Sequence, residues 1–255
     1  MIDQKIALGM YSVSEELECT WQDLLLKASD LYPEIGLPKS FVNSIEESVV
    51  LDKNTCISHM CGLPLIDRFS EVLMPLCAPQ FNLPGVFGPQ YFSYYIVHRD
   101  SEVDTIAHSK GKRLAANSEC SNSGLNVLRH ELREKYKECV EVFFGEIIFT
   151  GSHHKSLHSI LKGVCDVTAI DAATYEYLCV TNPLYRDELR IIGQSCQSTA
   201  PPLVTNKNRP LCSPQLLTKA LNSALNSLDQ TTRNTLNIKQ FHKVELQDYT
   251  SQLLD

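Results

Sequence analysis

Gly111-Lys-Arg-Leu-Ala-Ala-Asn-Ser-Glu-Cys-Ser-Asn-Ser-Gly-Leu-Asn126 joins an apolar strand, residues 113–117, to a helix that the pattern starts at Ser123. The link between them is small, polar and closed by glycine. Outward from it, strand and helix keep alternating: strand 146–150, helix 153–161, strand 166–170, helix 172–178 and strand 189–194. Strands separated by helices of this length make βαβ units and parallel sheets. The helix after Ser123 carries Leu125, Leu128, Leu132 and Tyr136 on one side and Arg129, Glu131, Arg133 and Glu134 elsewhere, as a helix covering a sheet does.

The first hundred residues repeat the alternation. Residues 5–11 read as a strand, and Ser12 with Glu15 forms a capping box that starts a helix. Leu17, Trp21, Leu24, Leu25, Ala28 and Leu31 give that helix one apolar face. Strands are expected over 54–60, 71–78 and 91–99, with helical turns over 63–69 and a loop over 82–89, where two Pro and two Gly fall in eight residues. After Ala200-Pro-Pro202 come a short strand, 203–205, and helices over 214–228, 230–237 and 245–254. Two stretches of similar β-α order imply two α/β lobes, and two lobes make a cleft.

Composition limits what such a cleft can hold. The 255 residues are 43% hydrophobic and 21% charged, and Lys plus Arg fall short of Asp plus Glu, for a net charge of −7. No basic field recruits nucleic acid or an anionic membrane, so any bound anion must be gripped by local dipoles and a few side chains. The longest apolar stretches are strand-sized, which excludes a membrane-spanning helix. The first ten residues lack the basic, apolar and small-residue regions of a secretory signal. The chain is expected to be periplasmic if Met1 was placed ahead of a mature sequence and cytoplasmic if Met1 is the native start. Ten cysteines without a C-x2-C pair read as free thiols buried as small hydrophobes in a reducing compartment, not as a zinc or disulfide framework.

Three segments carry chemistry. In the first, Ser121, Asn122, Ser123 and Gly124 place hydroxyl and amide donors beside the unpaired N–H groups of a helix start, an arrangement that suits an anion. Ser121 or Ser123 can equally serve as a plain cap, and without a lysine the segment is no Walker loop. In the second, Thr150-Gly-Ser-His153, the imidazole can donate to an oxyanion or cap its helix. The pair His154 and His158 sits at metal-ligand spacing, but no carboxylates accompany it, and no metal or other cofactor is expected. In the third, Asp171 ends an apolar strand, where open α/β sheets present ligand groups, and it can also cap the helix that follows. By the same strand-end logic the first lobe offers Tyr11 and Cys61-Gly62. Cys61 as a nucleophile lacks an arranged His-Asp pair.

The order of Met10-Tyr11, Met60-Cys61-Gly62-Leu-Pro-Leu65, the strand 91–99, Gly111-Lys-Arg through Ser121-Asn-Ser-Gly124, Thr150-Gly-Ser-His153 and Ala169-Ile-Asp171 resembles the phosphate, phosphite and phosphonate-binding family of ABC-transporter substrate-binding proteins. The resemblance runs from about Lys5 to the segment 241–254. It implies a periplasmic-binding-protein type II fold, each lobe a mostly parallel sheet flanked by helices, joined by a two-strand hinge that closes on an oxyanion. It places lobe one at 1–96 and 200–255 and lobe two at 97–199. The family's phosphonate-gripping turn falls on Ser121, Asn122, Ser123 and Gly124, its histidine on His153, its strand-end acid on Asp171 and its first-lobe aromatic on Tyr11. The implied partners are a small anionic ligand and an ABC-transporter permease, with the binding protein monomeric. A carboxylate beside a phosphonate repels it unless one of them carries a proton or the ligand carries an amine, so Asp171 favours an aminoalkyl phosphonate or a monoprotonated oxyanion. Two other readings use the same residues: a cytosolic sensor of a different metabolite, and an enzyme working through His153 or Cys61.

Overall fold

The computed structural model describes residues 4–253. In chain order the first elements are β1 (Lys5–Ala7), α1 (Glu15–Leu31), β2 (Ser40–Val42), α2 (Glu47–Val50), β3 (Thr55–His59), α3 (Gly62–Asp67) and β4 (Leu73–Phe81). The middle of the chain gives β5 (Gln90–Tyr91), β6 (Ser93–His98), β7 (Arg113–Ala116), α4 (Val127–Tyr136), α5 (Val140–Phe143) and β8 (Glu146–Phe149). These are followed by α6 (His153–Leu161), β9 (Val167–Asp171), α7 (Ala172–Thr181), α8 (Leu184–Glu188), β10 (Leu189–Gln194) and β11 (Ser198–Thr199). The last are β12 (Leu203–Asn206), α9 (Pro214–Ser227), α10 (Gln230–Leu236) and β13 (Ile238–Lys243).

The chain forms two compact units, residues 4–90 with 199–253 and residues Tyr91–Ser198. The sequence places these boundaries at 96/97 and 199/200; in the structure all of β6 lies in the second unit. The two crossing segments, β5 and β11, pair as a small sheet of their own.

The first unit is built on a six-stranded sheet in the order β13-β4-β12-β3-β1-β2. Strand β1 runs parallel to β2 and β3, whereas β12 and β13, which return from the far end of the chain, run antiparallel to their neighbours. The second unit holds a five-stranded sheet, β10-β6-β9-β7-β8, parallel among β7, β8 and β9 and antiparallel at β6. Both sheets are therefore mixed rather than mostly parallel. Ladders are parallel among β1, β2 and β3 and among β7, β8 and β9, and antiparallel where β12 and β13 return to the first unit and where β6 pairs with β9 and β10.

Helix α1 buries Leu17, Trp21, Leu24, Leu25 and Ala28, as the periodicity predicts, and leaves Leu31 at its exposed end. Its N-cap is Ser14, which accepts from the Leu17 amide at 3.2 Å; Ser12, the expected cap, donates instead to the Leu8 carbonyl. The second core gathers Leu125, Leu128 and Leu132 against Leu114, Ala116, Val167 and Ala169 of the sheet. Each of the fully buried leucine and valine side chains contributes about 1.5–3 kcal/mol. None of the ten cysteines is in a disulfide, but Cys19, Cys120, Cys139 and Cys196 are exposed and only Cys77, Cys165 and Cys179 are buried. Burial as small hydrophobes thus describes a minority of them. Among the described residues no helix is long and apolar enough to cross a membrane.

Candidate functional site

Strands β7, β8 and β9 are parallel neighbours, so their carboxyl ends open on one edge of the second unit's sheet. Each end leads into a helix, and three helix N-termini gather where the sheet presents ligand groups. After β7 the chain turns at Ser121, whose hydroxyl accepts from the Gly124 amide at 3.0 Å, and then makes one π-helical turn over Asn122–Asn126 before α4. The π geometry shows in the Asn126 amide, which donates to the Ser121 carbonyl at 3.0 Å. Such wide turns break the regular amide ladder and are frequent at functional sites. Gly124 leaves room for the Asn117 side chain, since a Cβ there would lie 1.9 Å from Asn117 Oδ1.

After β8, Gly151 turns the chain with φ +89°, Ser152 caps α6 by accepting from the Lys155 amide, and His153 takes the first helical position. Strand β9 ends at Asp171, which caps α7 by accepting from the Thr174 amide at 2.9 Å. The sequence leaves capping and ligand presentation open for Asp171. In the structure one carboxylate oxygen caps, while the other faces the imidazole.

The three ends meet in a single cluster. His153 Nε2 lies 3.0 Å from Ser123 Oγ and 3.5 Å from Asp171 Oδ2, with the imidazole and carboxylate side chains 13% and 7% exposed. Burial holds the His153 pKa below the ordinary imidazole value, and the charge of Asp171 opposes that shift. Tyr177 lies close enough to Asp171 for that charge to add to burial in keeping its phenol protonated. The three side chains invite comparison with a hydrolytic triad, but a triad sets the acid and the nucleophile on opposite imidazole nitrogens. Here both share Nε2, and His153 Nδ1 is buried without a hydrogen-bond partner. The arrangement can offer or withdraw a proton at one point, and its hydroxyl and helix-start amides can hold an oxyanion.

Ser121, Asn122, Ser123, Gly124, His153 and Asp171 are thus gathered within the second unit. Asn122 is 1% exposed, and its carboxamide is engaged inside that unit. Tyr11, Cys61 and Gly62 belong to the first unit. Tyr11 sits in an aromatic cluster, stacked on Trp21 at 6.2 Å and edge-on to His59 and Phe81. Gly62 gives way to the C-terminal turn: a Cβ would lie 2.4 Å from Tyr249 and 2.6 Å from Gln252. Cys61 occupies the cap position of α3 without a side-chain capping bond. His154 and His158 are exposed on α6, and among the described residues no group of three His, Cys, Asp or Glu is placed to hold a metal. Sequence reasoning missed Asn117, Asn126 and Ser198, and it left the choice among Tyr91, Tyr94 and Tyr95 open. Asn117 could have been suspected from its place directly after β7, but nothing local marks Ser198 or singles out Tyr91 from its neighbouring tyrosines.

A family profile described as ABC transporter, phosphonate, periplasmic substrate-binding protein matches residues 82–249, about two-thirds of the chain. The chain belongs to this phosphonate-binding family. Among solved structures, PhnD1 from Prochlorococcus marinus, in complex with methylphosphonate, superposes with a TM-score of 0.75 at 17% identity, over 97% of this chain and 94% of that one. A binding protein component of an ABC phosphonate transporter from Pseudomonas aeruginosa gives 0.74 at 17% identity, over 96% and 82%. A Xanthomonas citri protein bound to ATP gives 0.68 at 15% identity, over 99% and 97%. At these identities the superpositions show a common fold, that of the type II periplasmic binding proteins. No curated protein sequence matches the chain.

Proposed function

We propose that this member of the phosphonate-binding family captures a small phosphorus oxyanion at the cluster of Ser123, His153 and Asp171 and presents it to an ABC-transporter permease. The observation that carries the reading is the convergence of three helix N-termini on Ser123 Oγ, His153 Nε2 and Asp171 Oδ2. Helix-start amides and the Ser121–Gly124 turn supply donors to the oxyanion, and the net charge of −7 leaves such local dipoles as the means of holding it. Asp171 selects against a bare dianion, favouring a ligand with a proton on oxygen or an ammonium group within reach. The protein works as a monomer and binds without turnover, a reading supported by its family, which is one of transport substrate-binding proteins. The crossing segments serve as the hinge that reports occupancy.

Calorimetry and thermal melting of the reduced protein with inorganic phosphate, methylphosphonate and 2-aminoethylphosphonate test this. A ligand at one hundred times its Kd adds about 2.7 kcal/mol of stability. Stabilisation by at least one of the three is expected in the native protein, weakened at least tenfold in Ser123→Ala and His153→Ala. Stabilisation by none of them overturns the reading.

A further inference from the structure

Asn122 sits beside Ser123 in the turn, yet its side chain looks the other way. Both protons of its carboxamide nitrogen are donated, one to the Tyr91 hydroxyl at 2.9 Å and one to Ser198 Oγ at 3.0 Å. Its carbonyl oxygen accepts from the Asn126 amide group at 2.9 Å. Asn122 and Asn126 are each 1% exposed and Tyr91 is 2% exposed. The two acceptors stand at significant places. Tyr91 is the first residue of the second unit and Ser198 its last before the chain leaves, and both lie in the paired crossing segments β5 and β11. They are 31 and 76 residues from Asn122, so no local structure requires either bond.

We infer that Asn122 is a positioning residue that ties the oxyanion-binding turn to both crossing segments, so that occupancy of the turn is felt where the chain enters and leaves the unit. The inference rests on the oxyanion reading of the turn and adds to it the route by which binding is reported. Its physical basis is that a buried donor left unmade is costly, about 1–3 kcal/mol for each. Neither the turn nor a crossing segment can shift alone without leaving the Asn122 carboxamide unsatisfied. A network of this kind has a few discrete arrangements rather than a continuum, which is what a coupling element needs. The neighbouring Ser123 touches His153, so a ligand that pulls on Ser123 acts one residue away from the tether.

The test reads amide hydrogen exchange by mass spectrometry, without ligand and with saturating methylphosphonate or inorganic phosphate. In the native protein, ligand slows exchange over 121–126 and, together with it, over 90–93 and 195–199. The variant Tyr91→Phe with Ser198→Ala removes both acceptors and leaves the turn intact. It is expected to keep the slowing over 121–126 while losing at least threefold of the slowing in the crossing segments. Each single substitution is expected to lose part of it, which keeps the test open if the double variant folds poorly. A residue that only stabilises the fold would lower the melting temperature without separating the two protections. Crossing-segment protection equal to the native value in the variants, or no response there in the native protein while the turn responds, overturns the tether. If the turn responds to neither of these probes nor to 2-aminoethylphosphonate, the oxyanion reading fails, and the tether fails with it.

Discussion

A methyl group at position 124 would lie 1.9 Å from Asn117 Oδ1 and 3.1 Å from Ser121 Oγ, so glycine lets the turn close against the Asn117 side chain as it stands. Gly124→Ala must push the Asn117 side chain aside or open the turn, at a cost of about 1–3 kcal/mol. Urea unfolding should report that loss, with oxyanion affinity falling alongside it. Asn117→Ala in the same chain should restore most of both, and a Gly124→Ala protein with native stability and affinity would show that Asn117 swings away freely. At the neighbouring imidazole the expectation concerns protons. Burial keeps His153 below its ordinary pKa and therefore neutral near pH 7, while an arriving oxyanion adds negative charge beside Nε2 and raises that pKa. Binding should then take up a proton at His153. Calorimetry in buffers of different ionisation enthalpy would detect the uptake, and His153→Gln should lose it. In affinity, the native protein should gain on that variant as pH falls from about 8 to about 6.

At the scale of elements, caps with the same chemistry have different consequences according to where their helices point. Ser152 caps α6, which carries His153, and Ser213 caps α9 in the first unit by accepting from the Leu216 amide. Replacing either with Ala should cost about 1 kcal/mol by denaturant unfolding. Only Ser152→Ala should also weaken oxyanion binding several-fold, because only that helix start holds a site residue; equal effects on binding would refute the assignment. Elements set by local chemistry were legible in the sequence. Helix α6 and strand β10 lie where the pattern places them, and Asp171 and Ser121 occupy the strand-end and turn positions read for them. Elements that depend on distant partners were not. Strand β13 was hidden because only Ile238 and Phe241 are buried in an edge strand whose register is set by β4, over 150 residues earlier. The wide turn at Asn122–Asn126 read as ordinary helix, since its i→i+5 bond leaves no mark on the apolar spacing. The Asn122 network reaches partners 31 and 76 residues away and was invisible because neither of them is local.

The whole molecule carries three imidazoles whose pKa is lowered chiefly by burial: His59, held at about 3, together with His153 and His242. A histidine that is harder to protonate folded than unfolded contributes stability that is full above its unfolded pKa, about 6.5, and is lost as pH falls toward its folded value. The carboxylates of Asp166, bonded to Arg113, and Asp229, bonded to Thr232, have lowered pKa values and weaken the fold only below the ordinary carboxylate range. Acid sensitivity between pH 6.5 and 5 therefore belongs to the histidines. His59 dominates because it lies 2% exposed in the first unit, edge-on to Tyr11 and Trp21, with no charge nearby to welcome a proton. Over that interval it alone should remove about 2 kcal/mol. His59→Phe keeps a ring between Tyr11 and Trp21 and takes away the titration. Its stability should be lower than native at pH 7 through imperfect packing, yet fall less steeply toward pH 5, with the difference in slope measured by urea unfolding at matched pH values. Parallel slopes would mean that His59 gains a proton as readily folded as unfolded, and that the burial which organises the Tyr11 cluster does not isolate it from water.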